Sequence, residues 1–205
     1  MSWSLRLVTA PSSEVLTLAQ AKAQSRVDFT DEDSYITSLT VAARASVEED
    51  LSRSLITQTW ELGLPCFPRE DRILLPRGPL QSVTSVIYTD SALNSFTMTA
   101  GTDYLVDQYA DLAEIVLPFG KVWPTAVLST MRPVVIRFVA GYGDTSAAVP
   151  TPISLAMLQL VGDWYENREA VNISRTSSAI VELPNAYKNL LATYRLRYPG
   201  PFRQG

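Results

Sequence analysis

Between Val149 and Val171 the chain reads VPTPISLAMLQLVGDWYENREAV, its strongest periodic segment. Ile153, Ala156, Met157, Leu160, Val161, Trp164 and Tyr165 recur at the spacing of one helix face, and the charged residues Glu166, Arg168 and Glu169 close the run. An apolar stripe that wide has to be buried against other elements. The segment therefore predicts a central pillar helix, with Thr151 as its N-cap and Pro152 at the first helical position. The Trp/Tyr pair at its end reads as core.

Two further helices are expected upstream. Thr17 with Gln20 makes a capping box for a short helix from Leu18 to about Val27. Asp31, Glu32 and Asp33 open a second helix, about 33 to 55, in which Ile36, Leu39, Thr40, Ala43, Val47, Leu51 and Ser54 keep helical spacing. Its Ala42, Ala43, Ala45 and Ser46 form a small-residue face suited to close packing on the pillar. From Thr57 to Gly143 the pattern changes to short alternating runs rich in β-branched residues and broken by Pro and Gly. Strands are predicted at Gln58–Leu62, Arg72–Leu75, Val83–Tyr88, Ser95–Met98, Tyr104–Asp107, Glu114–Leu117 and Val134–Val139. Trp60 and Trp123 fall in this region and read as local core. A last helix should start near Pro184 and run to about Arg197, where Pro199-Gly200-Pro201 stops it. Residues 1 to 16 read as an extended arm or an edge strand, and Asn172 to Glu182 as a polar loop. The expected architecture is α+β. It is a helical bundle of two N-terminal helices, a central pillar and a C-terminal helix, with an inserted antiparallel β subdomain at 57–143. Residues 1–205 form one domain in this reading, and 198–205 an extended C-terminal tail.

The side-chain inventory narrows the chemistry. The chain has no histidine and a single cysteine, Cys66. Ser-His-Asp and Cys-His catalysis and ordinary structural zinc sites are thereby removed, and no internal disulfide can form. No phosphate-binding glycine motif and no GxSxG is present. Gly141-Tyr142-Gly143-Asp144 lacks the Lys and third Gly of a nucleotide loop and reads as a turn that ends a strand. Asp31/Glu32/Asp33 and Glu48/Glu49/Asp50 lack a calcium-loop framework, because consecutive helical positions point in different directions. Asp163, Glu166, Arg168 and Glu169, near a helix end, read as surface pairs or contacts to a neighbouring subunit. No metal, cofactor or catalytic set is expected. With 46% hydrophobic and 19% charged residues, wholesale disorder is not expected. No run is long enough for a membrane span, and no signal peptide pattern is present.

Charge is distributed unevenly. The net charge is −4, but residues beyond Val171 carry five basic groups and one acidic group, a local +4. The preceding part is therefore at −8. An acidic body with a basic C-terminus points to a negatively charged partner for that end. A sequence pI near 4.9 with no aromatic-interleaved basic patch argues against tight wrapping of nucleic acid.

Several segments together carry a resemblance. LTLAQAKAQSRVD (16–28), VAARASVEEDLSRSLITQTWEL (41–62), ILLPRGPLQSVTSVIYTD (73–90), VVIRFVAGYGD (134–144), the 149–171 segment and LPNAYKNLLATYRLR (183–197) resemble the head–tail connector (adaptor) proteins of tailed bacteriophages and of phage-like gene transfer agents. The resemblance covers nearly the whole chain in order; Arg197 to Gly205 follows no fixed pattern of the family. It implies a non-enzymatic structural protein that forms a ring of about twelve copies below the portal. Such a ring extends the DNA channel, lets DNA pass without specific binding, and docks the stopper or tail. It also implies a place in the neck of a virion or phage-like particle assembled in the bacterial cytoplasm, with no membrane partner. In that setting Tyr194, Arg195, Arg197, Tyr198 and Arg203 are the expected contacts to portal or tail, since guanidinium groups and aromatics anchor interfaces. Asp31, Asp33, Glu48 and Glu49 are the expected channel-facing carboxylates. The other readings are a tail-completion or minor capsid protein away from the portal and, further off, a carboxylate-dependent enzyme.

Overall fold

The computed structural model describes residues 3–109, 112–168 and 186–198. Glu169, the expected loop Asn172 to Glu182, Arg203 and the tail from Pro199 lie outside the described residues. The fold is α+β, and its residues group into two compact units. One comprises Met1–Ser12, Ser52–Asp144 and Leu196–Gly205; the other comprises Ser13–Leu51 and Thr145–Arg195.

The second unit holds the four α-helices found among the described residues. They are α1 (Leu18–Ser25), α2 (Asp33–Leu51), α3 (Thr151–Glu166) and the short α4 (Ala186–Leu191), which continues into one 3-10 turn, Ala192–Tyr194. In α1 the capping box forms as expected: Gln20 N–H donates to Thr17 Oγ1 at 3.2 Å, and Thr17 N–H donates to Gln20 Oε1 at 2.9 Å. Left-handed Arg26 (φ 55°) ends the helix and returns its N–H to Lys22 and Ala23 carbonyls. Left-handed Ser52 (φ 55°) likewise stops α2 at Leu51, short of the expected 55, and Ser54 N–H then bonds to the Arg77 and Gly78 carbonyls. Of the small-residue face of α2 only Ala43 is fully buried; Ala42 and Ala45 are exposed.

The pillar is α3, which packs against α1, α2 and α4. Ile153, Ala156, Met157, Leu160 and Val161 are buried as their spacing requires. Three details differ from the sequence expectation. Pro150 occupies the N-cap, so Thr151 is the first helical residue and its side chain makes no capping bond. The helix ends at Glu166, because Asn167 turns its backbone N–H and its side-chain amide back onto the Asp163 carbonyl, at 2.9 and 3.1 Å. Trp164 and Tyr165 are half-buried at the rim and do not belong to the core. Where the stripe reaches Gly162, the amide side chain of Gln24 lies 3.3 Å from the site a Cβ would occupy.

The first unit is built on two antiparallel sheets. Its strands are β1 (Ser4–Thr9), β2 (Gln58–Leu64), β3 (Arg72–Leu74), β4 (Leu80–Thr89), β5 (Ser95–Met98), β6 (Leu105–Asp107), β7 (Glu114–Val116) and β8 (Val134–Ala140). They form a five-stranded sheet in the order β1-β2-β8-β4-β5 and a three-stranded sheet in the order β3-β7-β6. The N-terminal arm is thus an edge strand, with Leu5 opposite Leu62 and Arg6 opposite Glu61. Alternation along β8 sends Val134, Ile136, Phe138 and Ala140 inward. They join one apolar cluster with Leu62, Leu64, Ile73, Leu75, Val86, Met98 and Ile115. Trp123 is buried against this cluster, stacked 5.2 Å from Phe67, and donates to the Glu70 carbonyl at 2.7 Å. Trp60 is only half-buried; its N–H bonds to Ser54 Oγ at 2.9 Å, and the Arg77 guanidinium lies over its ring.

The turn after β8 confirms the reading of Gly141-Tyr142-Gly143-Asp144. Gly141 has φ 140°, and a Cβ there would lie 2.6 Å from the Ile56 carbonyl group. The bare backbone lets two chain segments touch: Tyr142 N–H bonds to Leu55 O, and Thr57 N–H to Gly143 O.

Candidate functional site

Among the described residues no group of three or more acidic, Cys or His side chains is placed to hold a metal. No helix there is long and apolar enough to cross a membrane.

The C-terminal residues expected to contact a partner leave the 3-10 turn after α4. Arg195 donates from Nε to the Asp50 carbonyl at 2.7 Å, and its Nη2 lies 3.7 Å from the Asp50 carboxylate. A guanidinium at the C-terminal turn of α2 meets both an unsatisfied carbonyl and the negative end of the helix dipole. Leu196 is buried and Arg197 is exposed. The Tyr198 hydroxyl accepts from Arg77 N–H at 3.1 Å and faces the Ser52 carbonyl at 3.3 Å. Up to Tyr198 the chain is therefore seated on its own structure, with Arg197 exposed to solvent. Tyr194 is half-buried.

The four expected channel-facing carboxylates separate into two kinds. Asp33 is paired with Lys22 Nζ at 2.6 Å, and the same ammonium also reaches the Phe29 carbonyl. Glu48 is 8% exposed and accepts from Arg44 at 2.9 Å, while Arg44 Nε donates to Glu14 at 2.7 Å. Burial alone would lower the Arg44 guanidinium, but the two carboxylates outweigh it and hold its pKa above the usual value. Glu48 thus balances a half-buried arginine, a role its place in a run of three acids did not reveal. Asp31 and Glu49 are exposed.

Two networks escaped the sequence reading. At the end of α3, Arg168 Nη2 reaches both oxygens of Glu32 at 2.7 Å, with its guanidinium 4.8 Å from the Tyr35 and the Tyr165 ring centroids. The Tyr165 hydroxyl donates to the same carboxylate. Hydrogen bonds from Arg168 and Tyr165 hold the Glu32 carboxyl below its usual pKa, and the Glu32 bond raises the Tyr165 phenol. Arg168 is thus paired across 136 residues of sequence, not with Asp163 or Glu166. On the five-stranded sheet, Glu61 of β2 sits between Arg137 of β8 and Arg6 of β1, each at 2.5 Å. Hydrogen bonds from Arg137 and Arg6 hold its carboxyl below the usual value. The signal for this ladder was three charged residues on neighbouring strands, visible only once register was known.

Residues 15–99 match the family described as Phage gp6-like head-tail connector protein. A search of curated proteins finds no match. Among solved structures, a chain of the virion of a native gene transfer agent particle is 25% identical, with TM-score 0.76; the alignment covers 96% of this chain and 97% of that one. A chain in the neck of an empty gene transfer agent particle, computed with C6 symmetry, is 24% identical with TM-score 0.76. One in the neck of a native particle, computed with C12 symmetry, is 24% identical with TM-score 0.75. Each of these two is covered to 98%, over 96% of this chain. The resemblance to head–tail connectors read from the sequence is borne out.

Proposed function

We propose that this protein is a structural subunit of the neck of a phage-like particle, one copy in a ring below the portal that extends the DNA channel and docks the stopper or tail. The carrying observation is the fold: 96% of the chain superposes on a gene transfer agent virion chain at TM-score 0.76, with almost no unmatched length on either side. The connector-family match over residues 15–99, which spans α1, α2 and strands β2 to β5, supports the same reading. In this proposal the helices act as a bundle that carries the strands of 57–143 as an inserted subdomain. The chain has no enzymatic role and joins the particle in the bacterial cytoplasm.

The C-terminal segment is the proposed portal anchor. Leu196 and Tyr198 fix where it leaves the body. Arg197 and Arg203 offer guanidinium forks for carboxylates of the portal. Asp31 and Glu49, exposed on the acidic helical unit, are the proposed channel-facing charges, which keep passing DNA from adhering by like-charge repulsion.

Co-expression with the portal protein of the same particle tests the proposal. The expected result is co-elution of several copies per portal assembly by native mass spectrometry, lost when residues 199–205 are deleted. A portal assembly that never retains the chain would overturn the connector reading. Retention of the truncated chain at parental affinity would move the anchor onto the helices.

A further inference from the structure

The seventeen residues from Leu117 to Pro133 connect β7 to β8 without regular structure, long for a connection inside a compact unit. They are firmly held at chosen points. Trp123 is buried and stacked on Phe67, Ser91 N–H bonds to the Val127 carbonyl at 2.8 Å, and Ser129 N–H to the Thr89 carbonyl at 3.0 Å. Around these pins the loop turns apolar side chains outward: Phe119 is fully exposed, Met131 85%, Val122 76% and Val127 75%. Its two charged residues are both basic, Lys121 and Arg132, and neither has a carboxylate within ion-pair distance among the described residues. Four large apolar side chains on a pinned loop are a contact surface that the rest of the unit leaves uncovered.

We infer that this loop is the contact between neighbouring copies of the chain, docking on the acidic helical unit of the next copy. Charge selects the occupant. The helical unit carries twelve acidic and seven basic residues, a net −5, whereas the β unit carries nine and ten, a net +1. A basic, apolar loop complements the first surface and not the second. The helical unit also exposes Phe29, Val41 and Leu155, which offer apolar partners to the loop's side chains. The contact joins two different surfaces, the kind that closes into a ring when its rotation divides the circle. This inference rests on the ring reading above and names the surface that builds the ring.

The test mixes heavy-isotope and ordinary full-length chains, with Phe119 replaced by photoreactive p-benzoylphenylalanine, and maps crosslinks by mass spectrometry. Heavy–light crosslinked pairs landing on residues 13–51 or 145–168 are expected. Their yield should fall several-fold in the Lys121→Ser/Arg132→Ser background and as salt is raised, since screening shortens the reach of charge. Crosslinks confined to single chains, to the β unit of the second copy, or absent altogether would overturn the inference. A second measurement uses Phe119→Ser/Val122→Ser/Met131→Ser with the portal protein. These side chains lie in solvent, so the fold is kept. The expected outcome is a portal that binds this variant without a closed ring. If the parent and the variant close rings equally, the loop inference fails and the connector reading stands. If the parent never meets the portal, the connector reading fails and the crosslinks still decide the loop contact.

Discussion

Replacing Gly141 by Ala isolates the close approach that ties β8 to the segment after α2. Two costs add at this position. The φ of 140° is one that an L side chain rarely adopts, roughly 1–2 kcal/mol. The new Cβ also meets Ile56 C and O at 2.6 Å and Thr57 N at 2.7 Å. These are backbone atoms, which cannot rotate away as a side-chain tip could, and overpacking of this kind costs roughly 1–3 kcal/mol. Relief requires moving strands apart and stretches the bonds from Gly141 to Pro79, Tyr142 to Leu55 and Thr57 to Gly143. The expected loss is roughly 2–5 kcal/mol. Gly120→Ala is the matched control: its φ is 77°, but nothing lies within 4 Å of the added methyl, so it bears only the conformational cost. Urea unfolding of both variants, followed by near-ultraviolet circular dichroism, gives the comparison. Hydrogen exchange of the β8 amides assigns the loss to the β unit. If Gly141→Ala lies within about 0.5 kcal/mol of Gly120→Ala, the steric argument is wrong.

Trp123→Ala should destabilise the β unit by about 3–5 kcal/mol, since it empties a buried ring site and orphans the Glu70 carbonyl; urea melts set beside Trp164→Ala, whose side chain is half-buried, should show the larger loss at Trp123. Glu61→Gln tests the charge ladder: the folded carboxyl is held below its ordinary 4.5 by Arg137 and Arg6, so its stabilising effect is complete above that value and is lost as pH falls through the folded pKa. Urea midpoints of parent and variant should therefore differ at neutral pH and converge in acid; a gap that stays constant with pH removes this assignment. Tyr198→Phe deletes the bonds to Arg77 N–H and Ser52 O and should cost about 1 kcal/mol, seen as a lowered urea midpoint.

The elements that the sequence disclosed are those specified locally. The capping box at Thr17 and Gln20, the stripe from Ile153 to Val161, and the alternation of β8 each announce themselves within a few residues. Boundaries were less legible. The end of α2 depends on left-handed Ser52, a residue type with no strong preference for that conformation, and the end of α3 on a side-chain bond of Asn167. Helical spacing placed Trp164 on the buried face but could not tell that the core ends one turn earlier. The site residues were read from charge and composition, which did not show the pairs that some of them make. Glu48 looked like one of three surface acids until Arg44 and Glu14 closed around it. Arg168 sought its partner 136 residues away. The apolar loop from Leu117 to Pro133 has no period, and only solvent exposure marks its Phe119 and Met131 as outward-facing.

The central claim is that this chain is a neck subunit, and a cryo-electron microscopy reconstruction of its particle, with the chain identified by side-chain density, tests it most directly. The account predicts copies arranged about the particle axis directly below the portal. The helical unit of each should receive the Leu117–Pro133 loop of its neighbour, and the C-terminal segment should run into portal density. A reconstruction that places the chain in the capsid shell or along the tail, or in a neck whose copies touch through other surfaces, would contradict the first or the second part of that account respectively.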